Sequence, residues 1–253
     1  GRKAMPYTTI TFERRDAVGH LRLNRPQAGN ALDDRMHREI AALCEELYDD
    51  DALHVLVVSG VGDHFCRGAD PAEPEERLPR PAMAALAGLI IPTIAAIEGE
   101  ALGEGLELAL SCDLRVAADG ARLGLTRVAQ GALPAGGGTQ RLPRLVGPGK
   151  ATEMLLLGTA LTAGEALQAG LINRVTAPGG ALPEAMSLAE TIAGQAPWAV
   201  RFLKEAVHKG LDLTLEQGLR LEADLSFLLF STADRAEGLR AFRERRTPHF
   251  RSE

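Results

Sequence analysis

The first part of the chain alternates between apolar and polar residues in the two-residue rhythm of β-strands. This alternation runs through residues 7–23, and Asn24-Arg25-Pro26 then breaks it. We therefore predict two strands joined by a turn. From Asp33 to Tyr48, apolar residues recur at helical spacing behind two acidic residues at the start, and this pattern predicts a helix.

Further along, apolar strands and helices follow one another. The run Val55-Leu56-Val57-Val58 is apolar throughout, which predicts a strand buried on both faces. Residues 93–97 and 114–117 predict two more strands, with an apolar helix between them. Residues 71–81 contain four prolines and several charges, so we expect an exposed loop there that could act as a lid beside a site.

The periodicity changes character near the C-terminal end. From Leu182 to Phe242 it is helical only, whereas strands and helices alternate up to about residue 175. This change predicts an α/β core over residues 1–185 and a helical region over residues 186–253. The helical region has too few apolar positions to form an independent core.

The composition is that of an ordinary globular protein. Of 253 residues, 45% are hydrophobic and 25% are charged, and the formal net charge of -6 argues against a nucleic-acid partner. No window approaches the roughly 20 apolar residues that a membrane span needs. Three cysteines and six histidines lie far apart, without metal-ligand or disulfide spacing. We expect a soluble, cytoplasmic protein with no metal and no membrane partner.

A glycine-rich stretch after the strand at residues 93–97 contains the first candidate chemistry. Gly99, Gly103 and Gly105 would let backbone N–H groups at the following helix start face an anion or a developing oxyanion. A turn that merely requires glycine is the plain alternative. The spacing is not GxGxxG, so it argues against a dinucleotide site.

Glu107 lies one turn inside that helix, among residues that we expect to be buried. A buried carboxylate is costly unless it is paired, hydrogen-bonded or used in catalysis. Helical side chains lean towards the helix N-terminus, so Glu107 is predicted to face the same pocket as the free N–H groups. The alternative is a structural carboxylate held by the backbone or by an arginine.

The turn after the buried strand at residues 55–58 is the second candidate. Gly68 permits an unusual backbone conformation that would present the N–H of Ala69 inwards, as a second donor to the same oxyanion. An ordinary polar turn is the alternative.

Several segments, in order over nearly the whole chain, resemble signatures of the enoyl-CoA hydratase/isomerase (crotonase) superfamily. They are Asn24-Arg25-Pro26 with Asn30-Ala31-Leu32, Phe65-Cys66-Arg67-Gly68-Ala69-Asp70, Ile91 to Ile97 continuing through Glu107-Leu108-Ala109-Leu110-Ser111-Cys112-Asp113, Gly136-Gly137-Gly138-Thr139-Gln140-Arg141-Leu142-Pro143-Arg144, and Glu237-Gly238 with Ala241-Phe242.

The resemblance implies an α/β fold of the crotonase-like (ClpP/crotonase) type, a spiral of ββα units with a helical C-terminal trimerisation region. It implies homotrimers, or hexamers built as a dimer of trimers. It also implies an acyl-CoA substrate of the kind used in fatty acid metabolism, with no cofactor beyond the coenzyme A that the substrate itself carries.

The resemblance further implies roles for individual residues. The backbone N–H groups of Ala69 and Glu104 would form the oxyanion hole. Residues expected to bind coenzyme A or the substrate are Ala28, Arg67, Gly68, Ala69, Asp70, Phe242 and Arg245. The last two match positions that in relatives close the site or contact the phosphates, sometimes from a neighbouring subunit. The alternative for Arg245 is a solvent-exposed side chain with no binding role, because its neighbours along the chain are also charged.

Two positions depart from the family pattern. Arg127 ends Leu123-Gly124-Leu125-Thr126-Arg127, where hydratases have a second catalytic glutamate. A guanidinium is permanently charged and cannot act as a general acid, but it could pair with Glu107 and lower its pKa, or bind a substrate carboxylate. Glu104 replaces a glycine, and its backbone N–H is retained.

Three hypotheses follow from these residues. The first is an enoyl-CoA hydratase-like enzyme in which Glu107 works with water or with another acid such as Glu104. The second is another crotonase reaction that needs one carboxylate, such as double-bond isomerisation. The third is a non-catalytic acyl-CoA-binding or assembly protein, or an RNA binder, against which the net charge of -6 counts.

Overall fold

A computed structural model describes residues 7–72 and 80–250, and the statements below concern those residues. The proline-rich loop predicted over residues 71–81 lies mostly outside them. The strands are β1 (Ile10–Arg15), β2 (Val18–Leu23), β3 (Val55–Gly60), β4 (Thr93–Ile97), β5 (Glu100–Leu102), β6 (Leu114–Ala118), β7 (Arg122–Gly124), β8 (Ala160–Thr162) and β9 (Arg174–Thr176).

The helices alternate with these strands and then continue alone. They are α1 (Asp34–Tyr48), α2 (Pro81–Ala87), α3 (Glu104–Leu110), α4 (Gly138–Val146), α5 (Pro148–Leu157), α6 (Ala163–Gln168), α7 (Ala181–Ala193), α8 (Pro197–Gly210), α9 (Leu215–Leu229) and α10 (Ala233–Glu244). The strands and helices predicted up to residue 117 are all present, with ends that differ by a few residues. For example, α2 begins at Pro81, whose ring fixes φ for a first helical turn.

The largest sheet has six strands in the order β1-β2-β3-β4-β6-β9. β1 and β2 form the predicted antiparallel hairpin, and every other neighbouring pair is parallel. The side chains of Val55, Leu56, Val57 and Val58 in β3 are all fully buried, as predicted for a parallel strand covered on both faces. Helices cover both faces, and α7 packs on one of them through its buried alanines.

A second, three-stranded sheet takes one short strand from each turn of the chain. Its strand order is β5-β7-β8, and β5 and β7 are parallel. A β-bridge between Cys66 and Ala101 extends this sheet to the turn after β3. The units β4-β5-α3 and β6-β7-α4 therefore repeat one ββα path, each stacked on the one before. The predicted α/β class is confirmed. The stacking places the turn after β3 beside the start of α3, which positions the site.

Helices α8 to α10 follow the core without further strands, as the periodicity predicted. Lys204 in α8 attaches this region to the edge of the core, because its Nζ donates to the carbonyl of Ile91 and forms an ion pair with Asp113, both at 2.8 Å. The boundary predicted between residues 185 and 186 falls inside α7, a helix whose Ala181, Ala185 and Ala189 pack on the sheet. Among the described helices, none is long and apolar enough to cross a membrane.

Candidate active site

The turn after β3 runs close to the backbone that leads into α3. Gly68 has φ 118°, and a Cβ at this position would stand 3.2 Å from the carbonyl oxygen of Leu102. A side chain here would therefore meet both backbone strain and a close neighbour. The N–H of Leu102 donates to the carbonyl of Cys66 at 3.0 Å, which locks the two segments side by side.

The backbone of Ala69 is oriented by its pairing with Leu32. The N–H of Leu32 donates to the carbonyl of Gly68 at 2.8 Å, and the N–H of Asp70 donates to the carbonyl of Leu32 at 2.9 Å. Successive N–H groups of extended backbone point to opposite sides, so the N–H of Ala69 points away from Leu32. This orientation agrees with the inward-facing donor that the sequence predicts at Ala69.

The second predicted donor lies at the first residue of α3. Gly103 precedes the helix with φ 51° and ψ -121°, and its own N–H donates to the carbonyl of Gly124 at 2.8 Å. The N–H of Glu104 is therefore the first in the helix, where no intrahelical acceptor exists. A Cβ on Gly103 would lie 3.8 Å from the Cα of Gly68, so the two donor segments nearly touch.

Both donor segments line one cavity of about 240 Å³. Gly68 and Ala69 form one side, and Gly103 and Glu104 form the other. Asp70 is also in the wall, where its carboxylate accepts from Arg25 at 2.7 Å. The predicted oxyanion-hole residues are thus brought together around a single space that a small acyl group could enter.

The side chain of Glu104 is fully buried and lies against two arginines and a histidine. Its Oε1 is 2.6 Å from Nη1 of Arg80 and 3.1 Å from Nη1 of Arg127, while Oε2 is 3.2 Å from Nε2 of His37. Arg80 and Arg127 also line the cavity. Because both Glu104 oxygens already face these donors, the structure gives the carboxylate a pairing role rather than the free acid role that one hypothesis assigned to it.

Arg127 differs from one sequence expectation. Its guanidinium pairs with Glu104 and not with Glu107, because the short 3-10 helix Arg127–Gln130 places it against the first turn of α3. Of the two roles that the sequence leaves open for Arg127, the pairing with Glu107 is not observed, and the binding of a substrate carboxylate stays a prediction. Arg80 was missed altogether, since a charged residue in a proline-rich stretch has no periodicity that would mark it as buried.

Glu107 lies one turn further along α3 and does not line this cavity, so the prediction that it faces the same pocket as the Ala69 and Glu104 N–H groups is not confirmed. Its Oε1 accepts from the backbone N–H groups of Gly136 and Gly138, at 2.7 and 2.8 Å. Among the described residues its Oε2 is buried without a hydrogen-bond partner. One oxygen is thus held by the backbone, as the structural alternative proposed, and the other remains available.

The pKa of Glu107 is raised from its ordinary value near 4.5. Burial is the main cause, because it disfavours the charged form, and the nearby charge of Glu104 adds to the effect. The hydrogen bonds from Gly138 and Gly136 and the charge of Arg127 oppose this shift without reversing it. The direction is opposite to the lowering that pairing with Arg127 would have produced.

A second cavity, of about 410 Å³, adjoins the first at Arg67. Ala28 lines it at the end of the 3-10 helix Pro26–Ala28, next to Gly29, which has φ 59° and packs against the Arg67 side chain. The Nε of Arg67 is 2.7 Å from the carboxylate of Glu100. Two residues predicted to bind coenzyme A, Ala28 and Arg67, therefore meet at one surface cleft.

Phe242 and Arg245 lie elsewhere in this single chain. Phe242 is in α10 with 84% of its surface exposed, and Arg245 ends that helix with φ 54°. Neither residue lines the cavity at Ala69 or the cleft at Arg67.

In the portion of the chain that the structure describes, no three His, Cys, Asp or Glu side chains cluster as metal ligands.

The stacked ββα turns, with Ala69 and Glu104 lining one cavity, define an α/β protein of the crotonase type. The family model described as enoyl-CoA hydratase/isomerase matches residues 13–253, and the chain belongs to that family.

Individual relatives cover almost the whole chain. The "Probable enoyl-CoA hydratase echA8" of Mycobacterium bovis is 40% identical over 254 residues, covering 97% of this chain and 99% of its own length. The crotonyl-CoA hydratase of Syntrophomonas wolfei is 38% identical over 257 residues, with the same two coverages. The crystal structure of an enoyl-CoA hydratase from Bacillus anthracis superposes with a TM-score of 0.94 at 36% identity, covering 97% of this chain and 100% of that one.

Proposed function

We propose that this protein acts on the acyl group of a coenzyme A thioester, as a hydratase-like enzyme that stabilises a thioester enolate. The convergence of the Ala69 and Glu104 backbones on one cavity carries the proposal. Two fixed N–H donors stabilise the negative charge that develops on a thioester oxygen, and in such a site one donor typically contributes ~10²–10³ in rate. The names of the relatives, enoyl-CoA hydratase and crotonyl-CoA hydratase, support the same chemistry.

Glu107 is the proposed proton-transfer residue. It is three residues beyond Glu104, which separates the two positions by about 4.5 Å along the helix axis. A buried Oε2 without a hydrogen-bond partner among the described residues, together with a raised pKa, suits a group that must take up and release a proton. In hydration, this oxygen would take a proton from the water whose oxygen bonds to Cβ, and would then deliver that same proton to Cα of the enolate.

The alternative is a double-bond isomerase with one catalytic glutamate. The specific observation in its favour is Arg127, which stands where the family pattern has the second hydratase glutamate and which pairs with Glu104. Glu107 is then the one carboxylate that remains of the hydratase pair. A single glutamate can move one proton between two carbons of the same enolate. Arg127 would then hold Glu104, and through it the start of α3, in place.

Three further features are proposed from the family pattern. Coenzyme A would lie along the cleft at Ala28 and Arg67, with Gly68 and Asp70 beside it. Phe242 and Arg245 would complete the site of a neighbouring subunit in a homotrimer or hexamer, which is consistent with their exposure in the single chain. The protein would work in the cytoplasm. The alternative to an enzyme is a protein that binds acyl-CoA without catalysing a reaction.

Turnover of two thioesters tests the proposal. Hydration of crotonyl-CoA removes the absorbance of the conjugated enoyl group, whereas isomerisation of a 3-enoyl-CoA creates it. Glu107→Gln should abolish both reactions, and Glu153→Gln, an exposed glutamate in α5, serves as the matched control. If Glu107→Gln leaves turnover unchanged, the role proposed for Glu107 fails. If the native protein turns over neither thioester, the catalytic proposal fails and acyl-CoA binding alone remains. A large gain in hydration by Arg127→Glu would favour the isomerase alternative for the native protein.

A further inference from the structure

The glycine loop, residues 136–138, carries the two N–H groups that hold Glu107. Gly136 and Gly138 donate to the same oxygen, Oε1, at 2.7 and 2.8 Å. Glycine has the widest backbone freedom of any residue, so three glycines in succession give this loop little rigidity of their own. Both donors can meet one oxygen only when the peptide group between Gly136 and Gly137 keeps one orientation. A contact from outside the loop is therefore needed to fix that peptide group.

Arg141 in α4 makes this contact. Its Nη1 donates to the carbonyl oxygen of Gly136 at 2.6 Å, and this carbonyl belongs to the peptide group that lies between the two donating amides. The backbone N–H of Arg141 donates to the next carbonyl, that of Gly137, at 2.8 Å. One residue of α4 thus holds two consecutive carbonyls of the glycine loop, and with them the direction of both N–H groups that face Glu107.

Gly137 leaves the room that the guanidinium occupies. Its φ is 102°, a conformation that residues with a side chain rarely adopt. A Cβ at this position would also overlap with Nη1 of Arg141. The guanidinium therefore lies directly against the loop backbone, and any side chain at position 137 would displace it.

The charge of Arg141 also acts on Glu107. Burial lowers the pKa of Arg141, and the negative charge of Glu107 opposes that lowering. Because the interaction of two charges is mutual, Arg141 in turn favours the ionised form of Glu107. Of the other charged groups around this carboxyl, Glu104 raises its pKa and Arg127 lowers it. Helix α2, which also packs on α3, carries no charged residue.

We infer that Arg141 is a positioning residue for Glu107: its guanidinium holds the glycine loop in the conformation in which two amides grip Oε1 and leave Oε2 for proton transfer. This inference rests on the proposed function, since it concerns the proton-transfer residue of that reaction. Arg141 does not line the cavity at Ala69, so it acts through the loop and not on the substrate. The oxyanion donors lie on other segments and do not depend on it.

Turnover over a range of pH tests the inference. Arg141→Met keeps most of the apolar side chain and removes both the donor and the charge. With the thioester that the native protein turns over, we expect kcat to fall about tenfold or more and KM to change little, because a slightly displaced catalytic group costs this much. The acidic limb of the kcat profile, where Glu107 takes up a proton, should move upwards by about one pH unit. A limb at the unchanged pH would show a merely structural role and refute the inference.

Two further arginine variants separate the guanidinium from the helix that carries it. Arg144→Met is the matched control, because Arg144 also belongs to α4, donates to the carbonyl of Gln140 and is half exposed. It should leave kcat and the acidic limb unchanged. Arg141→Lys keeps the charge and one donor group, and it should recover part of kcat. Circular dichroism establishes that each variant is folded. An Arg141→Lys variant no more active than Arg141→Met would contradict the role of the charged donor.

Gly137→Ala displaces the guanidinium while Arg141 is still present. We expect it to lower kcat and move the acidic limb in the same direction as Arg141→Met. Gly147→Ala, at φ 79° in open space, controls for backbone strain alone and should not move the limb. Equal effects of the two alanine variants would assign the change to strain and count against the contact between Arg141 and the loop.

Infrared spectroscopy separates this inference from the proposed function. A protonated Glu107 has a carboxyl C=O band that Glu107→Gln removes, so the difference between the two spectra follows this one group without turnover. With Arg141→Met in both proteins, the band should persist to a pH about one unit higher. Such a shift, with no turnover of either thioester, would support the hold of Arg141 on Glu107 and refute the catalytic proposal. An unshifted band would overturn the role of Arg141, whatever the turnover.

Discussion

At Glu107, burial and backbone hydrogen bonds act on one carboxyl group in opposite directions. Burial raises its pKa and the N–H groups of Gly138 and Gly136 lower it, with a net increase. Its surroundings thus hold the side chain in place and make it easier to protonate than an exposed glutamate. The residue type alone indicated a buried acid, but only its surroundings determine which protonation state is favoured.

The raised pKa of Glu107 predicts a pH dependence of stability. A group with a folded-state pKa above its unfolded value contributes stability at low pH, and this contribution is lost as pH rises through the folded-state pKa. Glu107→Gln cannot ionise. The native protein should therefore lose stability relative to this variant as pH rises above the ordinary glutamate value near 4.5. Urea unfolding between pH 4 and pH 8 measures the difference.

Glu39 provides a control of opposite sign for that experiment. Burial raises its pKa, but hydrogen bonds from Thr9 and Thr8 outweigh burial, so that the pKa is lowered overall. The stability that Glu39 contributes is present above its unfolded pKa and is lost as pH falls. Glu39→Gln should therefore cost least at acid pH. Parallel pH profiles for the two variants would contradict the assignment for Glu107.

Glu104 predicts a large stability effect. Removing its charge by Glu104→Gln leaves the buried guanidiniums of Arg80 and Arg127 without their shared carboxylate, and breaking such a pair typically costs about 3–5 kcal/mol. The exposed pair of Lys150 and Glu153, at 2.8 Å, is the control, for which Glu153→Gln should cost less than about 1 kcal/mol. Urea unfolding measures both, and equal losses would show that the cluster is not effectively buried.

At the scale of elements, the two glycine turns carry the geometry of the site. The turn after β3 and the start of α3 come together because Cys66 forms a β-bridge with Ala101 in β5, just before α3. Gly68 and Gly103 then allow the backbones to pass within contact distance. Short elements in successive ββα turns, rather than one long helix, thus place the Ala69 and Glu104 donors.

Gly68→Ala separates site geometry from backbone strain. A Cβ at φ 118° is strained and close to Leu102, so the Ala69 amide should shift, and we expect turnover to fall tenfold or more. Gly147, with φ 79° and open space around it, is the matched control. Both alanine variants should lose about 1–3 kcal/mol of stability. If Gly147→Ala reduces turnover equally, the loss reflects strain rather than the position of the amide.

At the scale of the whole molecule, the helical C-terminal region exposes many large apolar side chains. They lie along α8 and α9 and include Leu203, Val207, Leu211, Leu215, Leu219, Phe227 and Leu228. Apolar patches of this extent on a protein surface usually mark an interface. The pattern supports the proposed trimer, in which a neighbouring chain would cover these helices.

The trimer is tested by charge insertion. Leu215 in α9 is 80% exposed, and Leu133, outside the helical region, is 78% exposed, so the two are matched in exposure. We expect the native protein to sediment at about three times the 26.9 kDa of one chain. Leu215→Glu should shift it to smaller species, whereas Leu133→Glu should not. A native protein that sediments as one chain would refute the trimer.

The sequence determined the elements, because their signals are local. The apolar run at residues 55–58, the helical spacing from Asp33 to Tyr48 and the loss of strand signal after residue 182 each depend on neighbours along the chain, and each prediction is confirmed. The quoted signatures likewise identified the family, which the comparisons confirm. Residue patterns of this kind are set by backbone geometry and burial, which act over a few residues at a time.

Only the tertiary structure decided how charged side chains pair. Arg80, Arg127 and His37 come from separate elements, and the fold brings all three to the carboxylate of Glu104. No periodicity encodes such a meeting, because it depends on how successive ββα turns stack and on which way each long side chain extends. For the same reason the sequence left two roles open for Arg127, and only the distances between atoms assign its guanidinium to Glu104.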